Sequence, residues 1–249
     1  MTSLQPHHLG AKRDERDERD IRFAHEGLAI APSADLRHLC TTVYDQLALH
    51  SCSANATASA LTIAAAIAGK SLPPPSRLFV YYNARALAGT ENADDGATLR
   101  NTIKTIAKTG TCAETLWPYD PAAVNERPVA AAYAAATIHA VQYQRIDQSL
   151  DALRACLTQG FPFVFGVDIY SNAMQALQTA TTMPLPADGA TVVGGHAVAA
   201  LGYDDATGMF TILNSLGPNW GAHGYFTMPY AYFTNPSWTY DFWTIRSVD

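Results

Sequence analysis

The 249-residue chain has little charge, few cysteines and no long apolar run. Charged residues make up 15% of it and give a net charge of −6, which argues against nucleic acid or an anionic membrane as the main partner. Four cysteines in this length do not make a disulfide scaffold. The longest apolar stretch, residues 54–69, is interrupted by polar residues and is too short to span a bilayer. No secretion signal is visible at the start, and the sequence leaves the compartment unassigned.

The remaining composition is that of a globular protein. Apolar residues account for 48%, enough to bury a core as one large domain or as two lobes. No spacing of cysteine and histidine suits zinc, and no glycine motif would cradle a phosphate. We therefore expect no metal and no cofactor. We also expect a monomeric protein.

The charge is concentrated at the N-terminus. Eleven of the 38 charged residues lie between Lys12 and Glu26, in a run of nearly balanced sign. Such a run is typical of a flexible, solvated leader. The alternative interpretation of residues 1–33, which we call the arm, is a pro-segment. Its apolar end would then dock on the folded body through Ile21, Phe23, Leu28 and Ile30.

Helical patterns dominate the first half of the body and short β-prone runs the second. The pattern therefore predicts an α+β fold with a mainly helical lobe over residues 34–145 and a mainly β lobe over 146–249. The predicted helices are 51–68, 98–108, 129–140 and 149–159, and 78–87 suits either helix or strand. The predicted strands are 161–169, 192–203, 209–213 and 225–228.

Cys52 begins the strongest helical pattern in the chain. A thiol at a helix start lies at the positive end of the helix dipole, and this favours the reactive thiolate. A lone cysteine at such a position is more often a small buried apolar residue.

A histidine and an asparagine complete a pattern. His196 follows two glycines in an apolar strand, where an imidazole needs a partner, and Asn214 ends a later strand before a glycine-rich loop. The asparagine oxygen can accept the ring N–H of a histidine and fix its tautomer, and Trp220 could cover that bond from water. Taken alone, the histidine suits a core position and the loop an ordinary turn.

The order and spacing of these three residues are more specific than any one of them. His196 follows Cys52 by 144 positions, and Asn214 follows 18 later. With Ala-Asp-Leu-Arg at 34–37, Asp-Gly-Ala at 95–97, Gly-His-Ala-Val at 195–198 and Asn-Ser-x-Gly-x-x-Trp-Gly at 214–221, residues 33–245 resemble the papain-like cysteine peptidases. The resemblance implies a two-lobed fold with a helical N-terminal lobe and an antiparallel, β-barrel-like C-terminal lobe, acting on peptide or protein substrates.

The resemblance also implies roles. Cys52 would be the nucleophile, His196 its base and acid, and Asn214 the residue that orients His196. The Gln46 amide and the Cys52 backbone N–H would form the oxyanion hole, which stabilises developing negative charge. Substrate contacts would come from Asp95, Gly96, Gly166, Gly194, Gly195, Ala197 and Trp220. Small walls at Gly166, Gly194 and Ala197 imply a roomy apolar pocket, with its floor from Tyr230 to Phe233.

The sequence departs from the family pattern beside the nucleophile. Leu47 and His50 stand where the family usually has glycine, Ser53 replaces an aromatic residue, and Leu216 stands where many members have tryptophan. If position 50 requires a positive φ, histidine there costs on the order of 1 kcal/mol. These changes leave two alternatives open: a Cys-His amidase or transamidase, and a weak or inactive binding module on the same fold.

The other cysteines have no predicted catalytic role. Cys156 lies on a helical pattern and is expected to be buried, whereas Cys40 and Cys112 could form a disulfide that the sequence cannot decide.

Overall fold

The computed structural model describes residues 3–249, which contain seven α-helices and nine β-strands. The helices are α1 (Cys52–Ile67), α2 (Arg77–Ala86), α3 (Leu99–Lys108), α4 (Ala130–Ala134), α5 (Leu150–Thr158), α6 (Ser171–Ala176) and α7 (Tyr230–Phe233). The strands are β1 (Ala11–Lys12), β2 (Ser33–Asp35), β3 (Ala97–Thr98), β4 (Ala140–Arg145), β5 (Phe163–Tyr170), β6 (Val192–Asp204), β7 (Met209–Leu213), β8 (Tyr225–Pro229) and β9 (Thr239–Val248).

Seven of the strands form one antiparallel sheet. Its order is β4-β9-β5-β6-β7-β8, and β2 pairs with β6 beside this path. The remaining two strands, β1 and β3, pair in parallel as a separate small sheet. Helices precede most of the sheet in the chain, so the predicted α+β class is confirmed.

Helix α1 is the central helix and is buried along almost its whole length. It packs against β6 and β9 on the sheet and against α2 and α3 on the helical side. Its many alanines allow these neighbours to approach closely. Several of its buried hydroxyls bond back to the helix; Thr57 Oγ1, for example, donates to the carbonyl of Ser53 at 2.8 Å. Within residues 3–249, no helix is long and apolar enough to cross a membrane.

Side-chain caps fix the starts of three other helices. Helices α2, α3 and α5 begin after Ser76, Thr98 and Ser149, whose hydroxyl oxygens each accept an N–H from the first turn. The cap at Ser76 explains why the ambiguous stretch 78–87 is a helix.

Two parts of the secondary-structure prediction were wrong. The helix expected over 129–140 ends at Ala134, and β4 begins at Ala140. Ile138 between them exchanges backbone hydrogen bonds with Thr111, so tertiary pairing overrides the alanine-rich helical pattern. Strand β9 was not predicted, although it lies between β4 and β5 in the sheet. Asp241, with φ of 56°, interrupts its apolar alternation.

The charged run of the arm is not a solvated leader. The side chains of Asp14 and Asp20 are almost fully buried, and Arg100 and Arg145 form ion pairs with them. The indole Nε1 of Trp243 donates to Asp14 at 2.8 Å. Burial raises the pKa of Asp14 to about 6. The arm is therefore part of the folded structure.

The apolar end of the arm also docks, as the alternative interpretation expected. Phe23 is buried, and Leu28 and Ile30 pack partly buried against the core. Ile21 differs from them, because 66% of it is exposed.

An aromatic cluster fills the core beside the sheet. Phe163 lies at its centre, with its ring centroid 5.8 Å from those of Phe165 and Phe210, and it also packs edge-on against Phe233 and Phe242. All five rings are buried.

We expect Phe163→Ala to lower the free energy of unfolding by about 3–5 kcal/mol, because it removes buried apolar area and leaves a cavity. Urea unfolding followed by circular dichroism measures this change. Val129→Ala is the matched control, since Val129 is 52% exposed and its truncation should cost less than about 0.5 kcal/mol. Equal losses in the two variants would contradict the central role of Phe163.

Candidate active site

Cys52 is the first residue of α1 and is fully buried. Burial raises the pKa of its thiol to about 11, while the backbone N–H groups of Gly10, Ala197 and Ser53 act in the opposite direction. The helix start was expected to favour the thiolate, but desolvation outweighs that effect here. In this arrangement the sulfur is a thiol at neutral pH.

His196 and Asn214 meet across neighbouring strands. The pairing of β6 with β7 brings them together, and His196 Nε2 lies 2.8 Å from Asn214 Oδ1. Both residues are buried, and Nδ1 of His196 has no hydrogen-bond partner among residues 3–249. Burial lowers the pKa of His196, and the bond to Asn214 partly opposes this. The imidazole is therefore neutral, with Nε2–H donating to the amide oxygen.

The Gln46 side chain is oriented at both ends. Its oxygen accepts the hydroxyl of Ser215 at 2.6 Å, and its Nε2 donates to the carbonyls of Leu49 at 2.7 Å and His8 at 3.1 Å. The carbonyl of His8 belongs to the arm, so a backbone oxygen from the same chain occupies the position in front of the Gln46 amide.

A buried arginine that the sequence did not single out supports this region. Arg77, at the start of α2, forms two 2.8 Å hydrogen bonds to the Glu114 carboxylate. It also donates to Asn55 Oδ1 at 2.8 Å and to the carbonyl of Asp45 at 3.0 Å. Glu114 is 37 residues away in sequence, so no local pattern marks the pair.

Tyr119 joins the same network to the two ends of the loop between Gln46 and α1. Its hydroxyl donates to the carbonyl of Gln46 at 2.9 Å and lies 2.5 Å from Ser51 Oγ. The guanidinium of Arg77 lies 3.9 Å from the ring centroid. The Tyr119 hydroxyl thus links the backbone of Gln46 to the side chain of Ser51, the residue before Cys52.

The arm runs between the two walls of the cleft. Gly10 lies against the backbone of His50, and its carbonyl accepts the N–H of Ala97 at 3.0 Å. A Cβ on Gly10 would overlap the carbonyl oxygen of His50, and one on Gly96 would overlap that of Gly10. Gly96, predicted to pair with a substrate backbone, is thus covered by the arm.

Two more predicted glycines form the opposite wall. A Cβ on Gly194 would meet the side chain of Leu9, and one on Gly195 would overlap the carbonyl of Ala11. The segment from Leu9 to Ala11 therefore contacts both walls that were predicted to bind substrate.

The predicted roomy character of the pocket was wrong. Tyr232 and Phe233 of the 230–233 segment are buried core residues. The space over Gly166 is instead filled by the ring of Tyr240 from β9, whose hydroxyl reaches Gly195. Sequence matching missed Tyr240 because β9 was not predicted. Ala197 is buried and faces Gly166 in the β5–β6 pairing.

Asp95 and Trp220 lie at different edges of the region. Asp95 is exposed and pairs with Lys12 of the arm at 2.5 Å. Trp220 is buried in the loop after Asn214, where it packs edge-on against Phe226.

The strained residue of the Gln46–Cys52 loop is Leu47 and not His50. Leu47 has φ of 51°, whereas His50 is absent from the left-handed region. The carboxylate of Asp45 accepts the Leu47 N–H at 2.9 Å and stabilises this turn. His50 instead donates its N–H to the Asp94 carboxylate, and its Nδ1 lies 3.3 Å from the same group.

All four cysteines are free thiols. The possible disulfide between Cys40 and Cys112 is therefore not formed, and Cys156 is buried as expected.

Comparison with known proteins identifies the family. The model of the family described as "Papain family cysteine protease" matches residues 30–235, and the chain belongs to this family. An uncharacterised peptidase C1-like protein of Acanthamoeba polyphaga mimivirus is 38% identical over 230 residues, which are 86% of this chain and 74% of the viral one. The chain is thus a papain-like cysteine peptidase, as the sequence predicted.

Solved structures agree. The crystal structure of xylellain, a cysteine protease from Xylella fastidiosa, is similar with a TM-score of 0.90 and 38% identity, over 97% of this chain and 96% of that one. Digestive procathepsin L 3 from the larval midgut of Tenebrio molitor has a TM-score of 0.72 at 18% identity, over 94% and 76% of the two chains, and shows the fold alone. The expected two-lobed papain-like fold is confirmed.

The contact between the arm and the site predicts a pH dependence. The backbone N–H of Gln5 donates to Nδ1 of His8 at 2.9 Å, which requires an unprotonated nitrogen. Burial lowers the pKa of His8 from 6.5 to about 4. The docked arm therefore binds fewer protons at His8 than the free arm, and His8 weakens docking as the pH falls below 6.5. Asp14 acts with the opposite sign, because its raised pKa favours docking in acid.

Comparing wild type with His8→Gln isolates the histidine, since Asp14 is present in both. The measurement is amide hydrogen exchange of residues 5–12 at about pH 7 and about pH 5, corrected for intrinsic rates. Wild type should lose more protection on acidification than the variant. Equal losses would show that His8 does not carry the effect.

Proposed function

We propose that the chain hydrolyses peptide bonds through a thioester acyl-enzyme on Cys52. The sulfur attacks the carbonyl carbon, and the resulting oxyanion accepts hydrogen bonds from Gln46 Nε2 and the Cys52 backbone N–H. His196 takes the thiol proton and gives it to the leaving amine. In the second half, His196 removes a proton from the water that attacks the thioester; the carbon–sulfur bond breaks, the acid leaves, and the proton on His196 returns to the Cys52 sulfur. Asn214 holds the imidazole ring in place throughout.

The observation that carries this proposal is the 3.1 Å hydrogen bond from Gln46 Nε2 to the carbonyl of His8. It is the kind of contact that an oxyanion hole makes with a peptide, at the mouth of a site that holds a buried thiol and an oriented histidine. Removing one donor of an oxyanion hole costs about 10²–10³ in rate.

The way the arm is bound supports recognition of peptide backbone. The strand β1 adds to β3 through main-chain hydrogen bonds, which do not depend on sequence. We propose that a substrate strand uses Gly96 and the neighbouring Asp95 on one wall and Gly194 and Gly195 on the other. Gly166, Ala197 and Trp220 are proposed to shape the site behind these contacts.

We also propose that the arm inhibits the enzyme that carries it. With the arm docked, the Gln46 amide is occupied, Cys52 is buried and its pKa is raised. In this proposal residues 1–33 are a regulatory unit, 34–145 the helical lobe and 146–249 the β lobe. Strands β2 and β4 pair with β6 and β9, so the two lobes share one sheet.

Covalent labelling tests the nucleophile. We expect an epoxide thiol inhibitor to modify the reduced full-length chain once, at Cys52, with the position assigned by peptide mass spectrometry. Cys52→Ala should lose both the label and any hydrolysis of fluorogenic peptides. Cys156→Ala is the matched control, because Cys156 is equally buried and lies outside the cleft.

Three outcomes separate the alternatives. Labelling with hydrolysis supports a peptidase, whereas labelling with transfer of the acyl group to an added amine supports a transamidase. Absence of both labelling and hydrolysis, in wild type and in a Gly10→Ala variant that releases the arm, favours the inactive binding module.

Gly10→Ala tests inhibition by the arm. We expect the variant to be labelled at Cys52 at least about tenfold faster than wild type, because the new Cβ would overlap His50 and expel the arm from the cleft. Glu26→Ala, at an exposed arm position, is the control. An unchanged labelling rate in Gly10→Ala, with docking shown to be lost by hydrogen exchange, would remove the inhibitory role.

A further inference from the structure

The guanidinium of Arg13, the third residue after Gly10, is held in a site made by the body of the protein. It donates to the Asp168 carboxylate at 2.8 Å, to the carbonyl of Pro236 at 3.2 Å and to that of Ser237 at 3.3 Å. Its central carbon lies 4.0 Å from the ring centroid of Tyr240. A planar cation thus has a carboxylate and two carbonyls as acceptors and an aromatic face beneath it, which are the features that guanidinium groups prefer.

The backbone that carries the acceptors is held by hydrogen bonds within the body of the protein. The N–H of Asp168 donates to the carbonyl of Trp238 at 2.9 Å, which ties β5 to the loop before β9. The N–H of Ser237 donates to Asn235 Oδ1 at 2.9 Å and orders that loop. The site would therefore persist when Arg13 leaves it.

The site adjoins the cleft wall next to His196. In the β5–β6 pairing Asp168 faces Gly195, the residue before His196. The Tyr240 hydroxyl reaches the same glycine, and burial raises the pKa of Tyr240, so the hydroxyl stays neutral. Three residues of extended chain span about 10 Å. A peptide whose backbone passes Cys52 can therefore place a nearby side chain here.

We propose that this site, formed by Asp168, Tyr240 and the carbonyls of Pro236 and Ser237, is a specificity subsite for an arginine or lysine side chain of the substrate. Arg13 occupies this subsite while the arm is docked in the cleft, and so competes with the substrate side chain. The inference rests on the proposed peptidase function. The subsite differs from the expected roomy apolar pocket, because the carboxylate of Asp168 makes this site suited to a cation.

The opposite wall supports this assignment. Asp95, beside Gly96, pairs with Lys12, so the two carboxylates that face the arm across the cleft each hold one of its basic residues. The next basic residues of the arm, Arg16 and Arg19, pair with Glu18 and Asp17 of the arm itself. Two adjacent residues of the arm, Lys12 and Arg13, are therefore the ones whose positive charges are paired with carboxylates of the cleft.

Substrate selectivity in the full-length Gly10→Ala variant tests the proposal. Fluorogenic peptides carry one arginine, or its neutral isostere citrulline, at each of the three residues before the cleaved bond. At one of these positions we expect kcat/KM to be about tenfold higher for arginine. Adding Asp168→Asn should bring that ratio close to one, while Asp188→Asn, at an exposed loop position, should leave it unchanged. A ratio near one at every position, or one that Asp168→Asn does not alter, would overturn the proposal.

A binding measurement separates this subsite from catalysis. Acetyl-arginine amide and acetyl-citrulline amide are titrated by NMR into the full-length Cys52→Ala, Arg13→Ala double variant. We expect saturable shifts with the arginine compound alone, abolished by Asp168→Asn. No binding would overturn the subsite even in an active peptidase. Binding of the arginine compound, together with no peptide hydrolysis by the chain that retains Cys52, would support the subsite and contradict the proposed function.

Discussion

The burial of α1 is the constraint on which the rest of the structure depends. Because this helix contacts the sheet through β6 and β9 and the helical lobe through α2 and α3, its first residue must lie where the two lobes meet. Cys52 is therefore held next to a strand that carries His196, and β7 brings Asn214 to that histidine. Small side chains along α1 make this close packing possible, and the hydroxyls of Thr57 and Ser59 donate to carbonyls of the same helix.

The buried charges of the arm are the second feature that holds the structure together. The arm carries a run of acidic and basic residues whose composition suggests solvation, yet Asp14 and Asp20 are buried against Arg100 and Arg145. Buried charges persist only when they are paired, and here the partners come from α3 and β4. The same rule holds for Arg77, which is paired with Glu114 below the loop that carries Gln46.

The sequence was sufficient for features that depend on local pattern. Helix α1, the strands β5 to β8, and the candidate residues Cys52, His196 and Asn214 follow from periodicity and from short motifs, and Gln46 follows from the family resemblance. It was insufficient where distant segments decide the outcome. Strand β9 has broken alternation and depends on its neighbours β4 and β5, so Tyr240 was missed as well. The left-handed residue was misplaced by three positions, because the turn at Leu47 depends on the hydrogen bond that its N–H donates to the Asp45 carboxylate.

The arm is covalently continuous with the cleft that it covers, and it is attached to the sheet again where Phe23 donates to the carbonyl of Arg145. Its effective concentration at the site is therefore set by chain geometry, in the millimolar range typical of short tethers, and not by the amount of protein present. Dilution would not uncover such a site. Exposure would follow first-order kinetics, and a peptide that binds in the same place would have to exceed this local concentration before it could displace the segment.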